Sequence, residues 1–390
     1  MNYRKFRADK LFDGHAFVPF DAVLIASPDG IVQAVVPAGE AGEGIESYRG
    51  VLCPGFVNCH CHLELSHLRG VVPERTGLVD FLSAVIGQRG KFKPAEIAAG
   101  ILKAEQEMLD NGIVAIGDIC NSTDSLERKK GGRLTCYNFI ETMGFIERTS
   151  PDRFAAAVRV YEAFEKHFPG KNSVVPHAPY SVSPALFQLV AGFAGNRIIS
   201  MHSQESVAEN EFYLTGGGDL LRLYRNLGLD LSFFRGTGRR SLASVMEFFD
   251  PAQRMILVHN VDLAEADLGG LRGRPNLYFC LCPNANLYIG GQLPAIEMLV
   301  SRGCRMVVGT DSLASNHGLN ILAELCTLQE AFPRLATETL LGWATAGGAE
   351  ALGMDGMLGS FSSGLRPGVL LIEGLAGDRF TASTAPRRLL

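Results

Sequence analysis

A chain of 390 residues, 47% of them hydrophobic, is long enough to bury one barrel-sized core with a small satellite and to fold unaided. Its 36 basic and 41 acidic residues leave a formal charge of -5 with no long basic run. That pattern excludes the electrostatic footprint of a nucleic-acid or anionic-membrane binder and leaves small molecules as the expected partners. Nowhere do eighteen consecutive apolar residues occur, and "MNYRKFRADKLFDGHAF" has neither an apolar h-region nor a small-residue cleavage pattern, so a cytoplasmic protein is expected. Nine cysteines, an odd number without CxxC spacing and mostly within apolar stretches, suit reduced core thiols better than a disulfide framework.

Along the chain, the first residues to about Val51 read as short strands broken by the turns "SPDG" and "VPAGEAGEG". From Val51 onward, apolar runs rich in β-branched residues alternate with segments of helical period, the sign of repeated βα units. Eight runs recur: "VLCPGFVNCH", "IVAIGDIC", "RLTCYNFIE", "SVVPHAPY", "RIISMHSQE", "RMILVHNV", "LYFCLCPN" and "RMVVGTDS". Between them lie helical candidates such as Pro94 to Gly112. Eight is the number that closes a parallel barrel. Met357 to Leu390 is strand-like again, and neither terminal piece has enough strands for a stable sheet alone. The expected architecture is therefore α/β, a (β/α)8 TIM barrel over 53–356 with a small β-sandwich domain built from 1–52 and 357–390. The Gly-rich stretch from Thr215 to Arg240 follows the fifth run and is placed to cover the barrel mouth.

In such a barrel the C-terminal strand ends converge on one mouth, so polar residues ending the apolar runs are expected to meet. The first run ends with His60 and His62, the third with Glu141, the fourth with His177, the fifth with His202 and Glu205, the sixth with His259 and the eighth with Asp311. Side chains two apart on a strand point the same way, so His60 and His62 share a face while Cys59 and Cys61 turn from it. A lone histidine after an apolar run is usually a hydrogen-bonded structural residue. Five of the nine histidines at one rim instead suit a metal site of imidazoles and one carboxylate.

With "PGFVNCHCHLELS", "PHAPYSVSPALF", "MHSQES", "LVHN", "CPNANLYIGG" and "GTDSLASN" in this order, the chain resembles the amidohydrolase superfamily over nearly its whole length. The likeness is to its mononuclear cytosine, guanine, adenosylhomocysteine and aminofutalosine deaminase branch. "HLELSH" and "TDSLASN" look closer to the aminofutalosine type than to guanine deaminases. The resemblance implies that His60, His62, His202 and Asp311 hold one divalent ion, zinc by default and iron as the alternative, with Glu205 and His259 working beside it. "VVPHAPYS" lacks the lysine that bridges two ions in binuclear members, which points to a single ion. His177 matches a position that faces substrate in nucleoside-deaminating relatives. Glu64 and Glu141 are further substrate-facing candidates, with orientation of a ligand histidine as the competing role. His67 reads as structural, and Asn284, Asn286, Ser312 and Asn316 as pocket-shaping or turn-forming residues.

These groups suit hydrolytic deamination of an amino-substituted heterocycle, such as a purine or an adenine-nucleoside-like compound. A divalent ion lowers the pKa of bound water, Asp311 takes up its proton, and Glu205 protonates the ring nitrogen beside the attacked carbon and passes a proton to departing ammonia. His259 steadies the water or the developing oxyanion. The alternatives are hydrolysis of another leaving group, from a chloro-triazine or an amide, and a non-catalytic scaffold of the same fold. A homodimer is the base-rate assembly.

Overall fold

The computed structural model describes residues 3–390. All eight apolar runs form parallel strands: β1 (Phe56–Cys61), β2 (Ile113–Cys120), β3 (Thr135–Thr142), β4 (Asn172–Pro176), β5 (Ile198–Ser203), β6 (Arg254–His259), β7 (Leu277–Leu281) and β8 (Arg305–Val308). β1 to β4 and β5 to β8 make two four-stranded parallel sheets in chain order. Backbone hydrogen bonds cross both seams between them. At one, His202 N–H donates to His177 O at 2.9 Å; at the other, the N–H groups of Thr310 and Asp311 both donate to His60 O at 3.0 Å. Each strand is almost wholly buried, as strands covered on both faces must be, which is why they read as continuous apolar runs rather than alternating ones.

The helices between strands follow from local chemistry. Pro94–Asp110, the helix expected from periodicity, starts with proline at its first position, where a missing N–H costs nothing. Its Glu96 carboxylate accepts the Lys93 N–H at 2.7 Å, and its apolar face buries Ile101, Ala104 and Met108.

The two ends of the chain meet in a second layer. One sheet is wholly N-terminal (Arg4–Arg7, Ala22–Ala26, Val32–Pro37, Ile45–Ser47), and the other pairs Lys10–Leu11 and Val51–Pro54 with Val369–Glu373 and Ala385–Arg388. Phe6, Leu24 and Leu52 from one end share a separate apolar cluster with Phe361, Val369 and Leu371 from the other. The run "VLCPGFVNCH" divides between the layers. Val51–Pro54 pairs antiparallel with Val369–Ile372, and β1 begins after Gly55. The break thus falls two residues beyond the 52/53 boundary expected from sequence, because proline cannot extend a sheet's hydrogen bonding and Gly55 fits where a side chain would not. A Cβ on Gly55 would lie 2.3 Å from Val114 Cγ1 and 2.7 Å from Pro367 O. No helix among the described residues is long and apolar enough to cross a membrane.

Gly55→Ala therefore tests the joint. Overpacking against Val114 is expected to destabilise the fold by about 1–3 kcal/mol, read as a lower urea midpoint and partly restored by Val114→Ala. An unchanged midpoint would show that the joint tolerates a Cβ.

Candidate metal centre

Ligand atoms of His60, His62, His202 and Asp311 all lie within 4.8 Å of one another. His62 Nε2 is 3.1 Å from His60 Nε2, and Asp311 Oδ1 is 3.5 and 3.3 Å from the two rings. Three strand ends thus deliver four side chains to one point. Burial pulls His62 down to about 3 and His202 well below its ordinary value, with neighbouring imidazoles adding to the effect. The rings are therefore uncharged at neutral pH and offer lone pairs. Burial would push the Asp311 carboxyl up, but a hydrogen bond from His60 and the fields of His62 and His259 outweigh it and hold it well below the usual carboxylate range. Uncharged imidazole nitrogens converging with one carboxylate are the donor set a borderline divalent cation takes, so these residues fit such an ion.

Further contacts aim these ligands. His202 Nδ1–H donates to His177 O at 2.8 Å, which turns Nε2 toward the cluster. Ser315 Oγ donates to Asp311 Oδ2 at 2.6 Å, leaving Oδ1 for the cluster. Asn58 Nδ2 donates to Thr310 Oγ1 at 2.7 Å and Thr310 N–H to Asn58 Oδ1 at 3.1 Å, tying the strand of His60 to the loop of Asp311. Gly309 lets this seam close, since a Cβ there would meet His60 O at 2.8 Å. Of five non-glycine residues with positive φ among the described residues, Gln204 (47°), His259 (74°), Asn260 (57°) and Asp311 (56°) all sit at the ends of β5, β6 and β8. Left-handed backbone at such residues costs about 1–3 kcal/mol each and persists where surrounding contacts fix it.

The other expected residues fall into distinct places. His259 Nε2 is 3.6 Å from Glu205 Oε1, and Nδ1 shares a 2.8 Å hydrogen bond with Asn286 Oδ1. Burial raises Glu205, against the opposing pull of His259. His177 is bonded through Nδ1 to Ser181 Oγ at 2.7 Å, and burial lowers it to about 4; its ring centroid is 4.7 Å from that of His202. Burial pushes Glu141 up to about 7. Its Oε2 accepts Asn121 Nδ2–H at 2.9 Å, while Oε1 has no hydrogen-bond partner and lies 3.6 Å from His202 Nδ1. Glu141 also lines a cavity of about 320 Å³ shared with Arg89, Asn121, Met143 and Arg153. Glu64, raised by burial to about 7, spends its carboxylate on the Asn121 and Ser122 N–H groups and the Ser122 hydroxyl. Its hydrogen bonds are with the loop after β2. His67 packs edge-on against Phe92 at 4.8 Å. Asn284 and Asn316 both donate to the buried Glu324 carboxylate, Ser312 bonds Ser315, and Asn286 bonds His259. The segment after β5 is tied down by stacking of Phe234 on Phe212 at 4.4 Å and by Tyr213 Oη donating to Pro179 O, beside the loop that carries His177.

Sequence reading missed several buried carboxyl groups that organise this rim. Asp118 of β2 accepts the Leu63 N–H at 2.8 Å, just beyond His62, and pairs with the buried Lys129 at 2.5 Å. The signal was an aspartate inside the apolar run "IVAIGDIC", which can be buried only with a cation or donors beside it. Glu324 accepts from Asn284 and Asn316 on the loops after β7 and β8. Glu209 accepts the Gln204 N–H at 3.0 Å, bracing the residue before Glu205.

The residues matched by the amidohydrolase family model run from 51 to 379, most of the chain and every residue of the cluster. The chain belongs to the amidohydrolase family. It is 26% identical over 377 residues to a 5-methylthioadenosine/S-adenosylhomocysteine deaminase of Syntrophobacter fumaroxidans, an alignment covering 91% of this chain and 80% of that one. Its fold superposes on the crystal structure of Helicobacter pylori aminofutalosine deaminase in complex with methylthio-coformycin with a TM-score of 0.81 at 21% identity, covering 97% and 93% of the two chains. An adenosine deaminase of Xanthomonas campestris with bound zinc matches with a TM-score of 0.72 at 23% identity, over 94% and 84%. At these identities the solved structures speak for the amidohydrolase fold.

Glu209 gives this rim a pH signature. Burial raises it to about 8 from its ordinary 4.5, so between those values the folded chain holds a proton that the unfolded chain releases. Its contribution is present at low pH and is lost as pH rises toward 8. Glu209→Gln, which mimics the protonated form, should flatten the fall in unfolding free energy between about pH 5 and 7.5 by up to about 1.4 kcal/mol per pH unit. Urea unfolding of metal-free protein across that range checks this; identical slopes would contradict it.

Proposed function

We propose that this amidohydrolase is a mononuclear, metal-dependent deaminase of a purine nucleoside-like compound with an adenine-type amino group, of which aminofutalosine is one example. The observation that carries the reading is the placement of Glu205 and His259, 3.6 Å apart, beside the cluster of His60, His62, His202 and Asp311. The likeness to nucleoside deaminases in sequence supports the same substrate class.

His60, His62, His202 and Asp311 would hold one divalent ion, with zinc first and iron second. When bound, the ion supplies a water of lowered pKa, and so a nucleophile at neutral pH. Asp311, ionised and held through Oδ2 by Ser315, would take up a proton from that water. Glu205, which burial biases toward its protonated form, delivers a proton to the ring nitrogen next to the attacked carbon and then carries one to the leaving ammonia. Without that protonation the adduct would place negative charge on a poor acceptor. His259 faces the same point through Nε2, whose lone pair would accept a hydrogen bond from the water and hold it in place. His177 and the free Oε1 of Glu141 would meet the substrate's hydroxyls or ring atoms, with the adjoining cavity accommodating the rest of the molecule. Glu64, included among the substrate contacts from sequence, is better placed to hold the loop carrying Asn121, and so acts through Glu141.

Several structural readings accompany this one. Residues from Phe56 to about 356 form the catalytic unit, with the two parallel sheets as one closed (β/α)8 barrel, a view supported by hydrogen bonds across both seams. The paired terminal sheets form a small β-sandwich domain, supported by their common apolar cluster. A cytoplasmic homodimer working on free small molecules is the setting this implies.

Ammonia release across aminopurines, aminopteridines and adenine nucleosides tests the reaction class. At least one adenine nucleoside should be turned over, and Glu205→Gln should keep full metal content while losing at least about 100-fold in kcat. No ammonia from any compound, with turnover of an amide or a chloro-triazine, would overturn the deaminase assignment, and a fully active Glu205→Gln would remove the proton shuttle.

A further inference from the structure

His259 is useful at this rim only if one ring nitrogen is reliably directed at the cluster. An imidazole can rotate by half a turn and can carry its proton on either nitrogen, so the far side of the ring needs a fixed partner. Asn286 is that partner. Its Oδ1 lies 2.8 Å from His259 Nδ1, and both residues are buried. His259 Nε2 has no hydrogen-bond partner among the described residues and points toward Glu205 Oε1, 3.6 Å away.

The clamp is itself anchored. Asn286 lies in the short helix Pro283–Ile289, where its N–H donates to Cys282 O at 3.0 Å. Three residues earlier the helix opens with proline, and the next residue, Asn284, is gripped by Glu324: the carboxylate accepts its N–H at 2.9 Å and its Nδ2–H at 3.0 Å. Glu324 also accepts Asn316 Nδ2–H at 2.7 Å, and Asn316 donates to Thr310 O, next to Asp311. One buried carboxylate thus ties the helix carrying Asn286 to the loop carrying Asp311.

We propose that Asn286 is a positioning residue that locks His259 as the tautomer bearing its proton on Nδ1, with the Nε2 lone pair turned to the reacting centre. The assignment rests on the deaminase reading above. It gives a specific role to an asparagine whose sequence context, "CPNANLYIGG", showed only a polar residue in a mouth loop. The reverse arrangement, with the Asn286 amide donating to Nδ1, would put the proton on Nε2 and remove the lone pair from the centre.

Asn286→Leu and Asn286→Asp separate these arrangements, because leucine offers no acceptor and an aspartate carboxylate can only accept. On an adenine nucleoside that the wild type deaminates, Asn286→Leu should lower kcat by about 10- to 100-fold with KM and metal content unchanged, as outer-shell partners of catalytic groups do. Asn286→Asp should recover most of the loss. The proposal is overturned if Asn286→Leu keeps wild-type kcat, if it loses metal instead, or if Asn286→Asp falls as far as leucine does. A readout independent of either variant is the two-bond 15N–1H coupling pattern of His259 in wild-type holoenzyme, which should show the proton on Nδ1; a proton on Nε2 would overturn the clamp. If the wild type releases no ammonia while the coupling pattern is as expected, the function is wrong and the clamp stands.

Discussion

The structure depends on an electrostatic constraint: buried imidazoles that disfavour one another's charged form are crowded around a buried carboxylate whose ionised form they favour. With ring nitrogens 3.1 Å apart and Asp311 beside them, burial keeps His62 and His202 uncharged while the carboxylate stays ionised. Lone pairs facing one another in a low-dielectric interior are unfavourable unless a cation sits among them. The surrounding architecture follows from holding that arrangement together.

Closure at the two seams supplies much of the hold. At one, His60 O receives two N–H groups from the Asp311 loop, and the Asn58–Thr310 pair repeats the tie one layer below. At the other, the backbone of His177 fixes both the main chain and the ring of His202. The left-handed conformations of His259, Asn260 and Asp311 at the same rim show the chain bent out of strand geometry so that side chains reach inward. Such strain is stable because seam hydrogen bonds and buried carboxyl groups such as Glu324 and Asp118 leave the loops no alternative place.

Much of this was legible in the sequence for a physical reason. Strands covered on both faces appear as apolar runs, and ligands at their ends stand out because imidazoles and carboxylates are rare there. The alternation of His60 and His62 with Cys59 and Cys61 gave the facing directly. What escaped notice was pairing across the fold. Lys129 looks like an ordinary charge in "LERKKGG" until Asp118 is seen beside it, and Glu324 in "NILAELC" reads as an exposed helical carboxylate although it is buried. Asn286 and Glu209 similarly gain meaning only from the partners that the folded chain brings to them. The joint at Gly55 was hidden because one apolar run serves two sheets.

The most direct measurement is anomalous X-ray scattering from crystals of protein purified without chelators. The account predicts one strong metal peak per chain, within about 2.0–2.2 Å of nitrogens of His60, His62 and His202 and an oxygen of Asp311. A chain that binds no ion there even when zinc or iron is supplied, or that carries its ion on other residues, would contradict it.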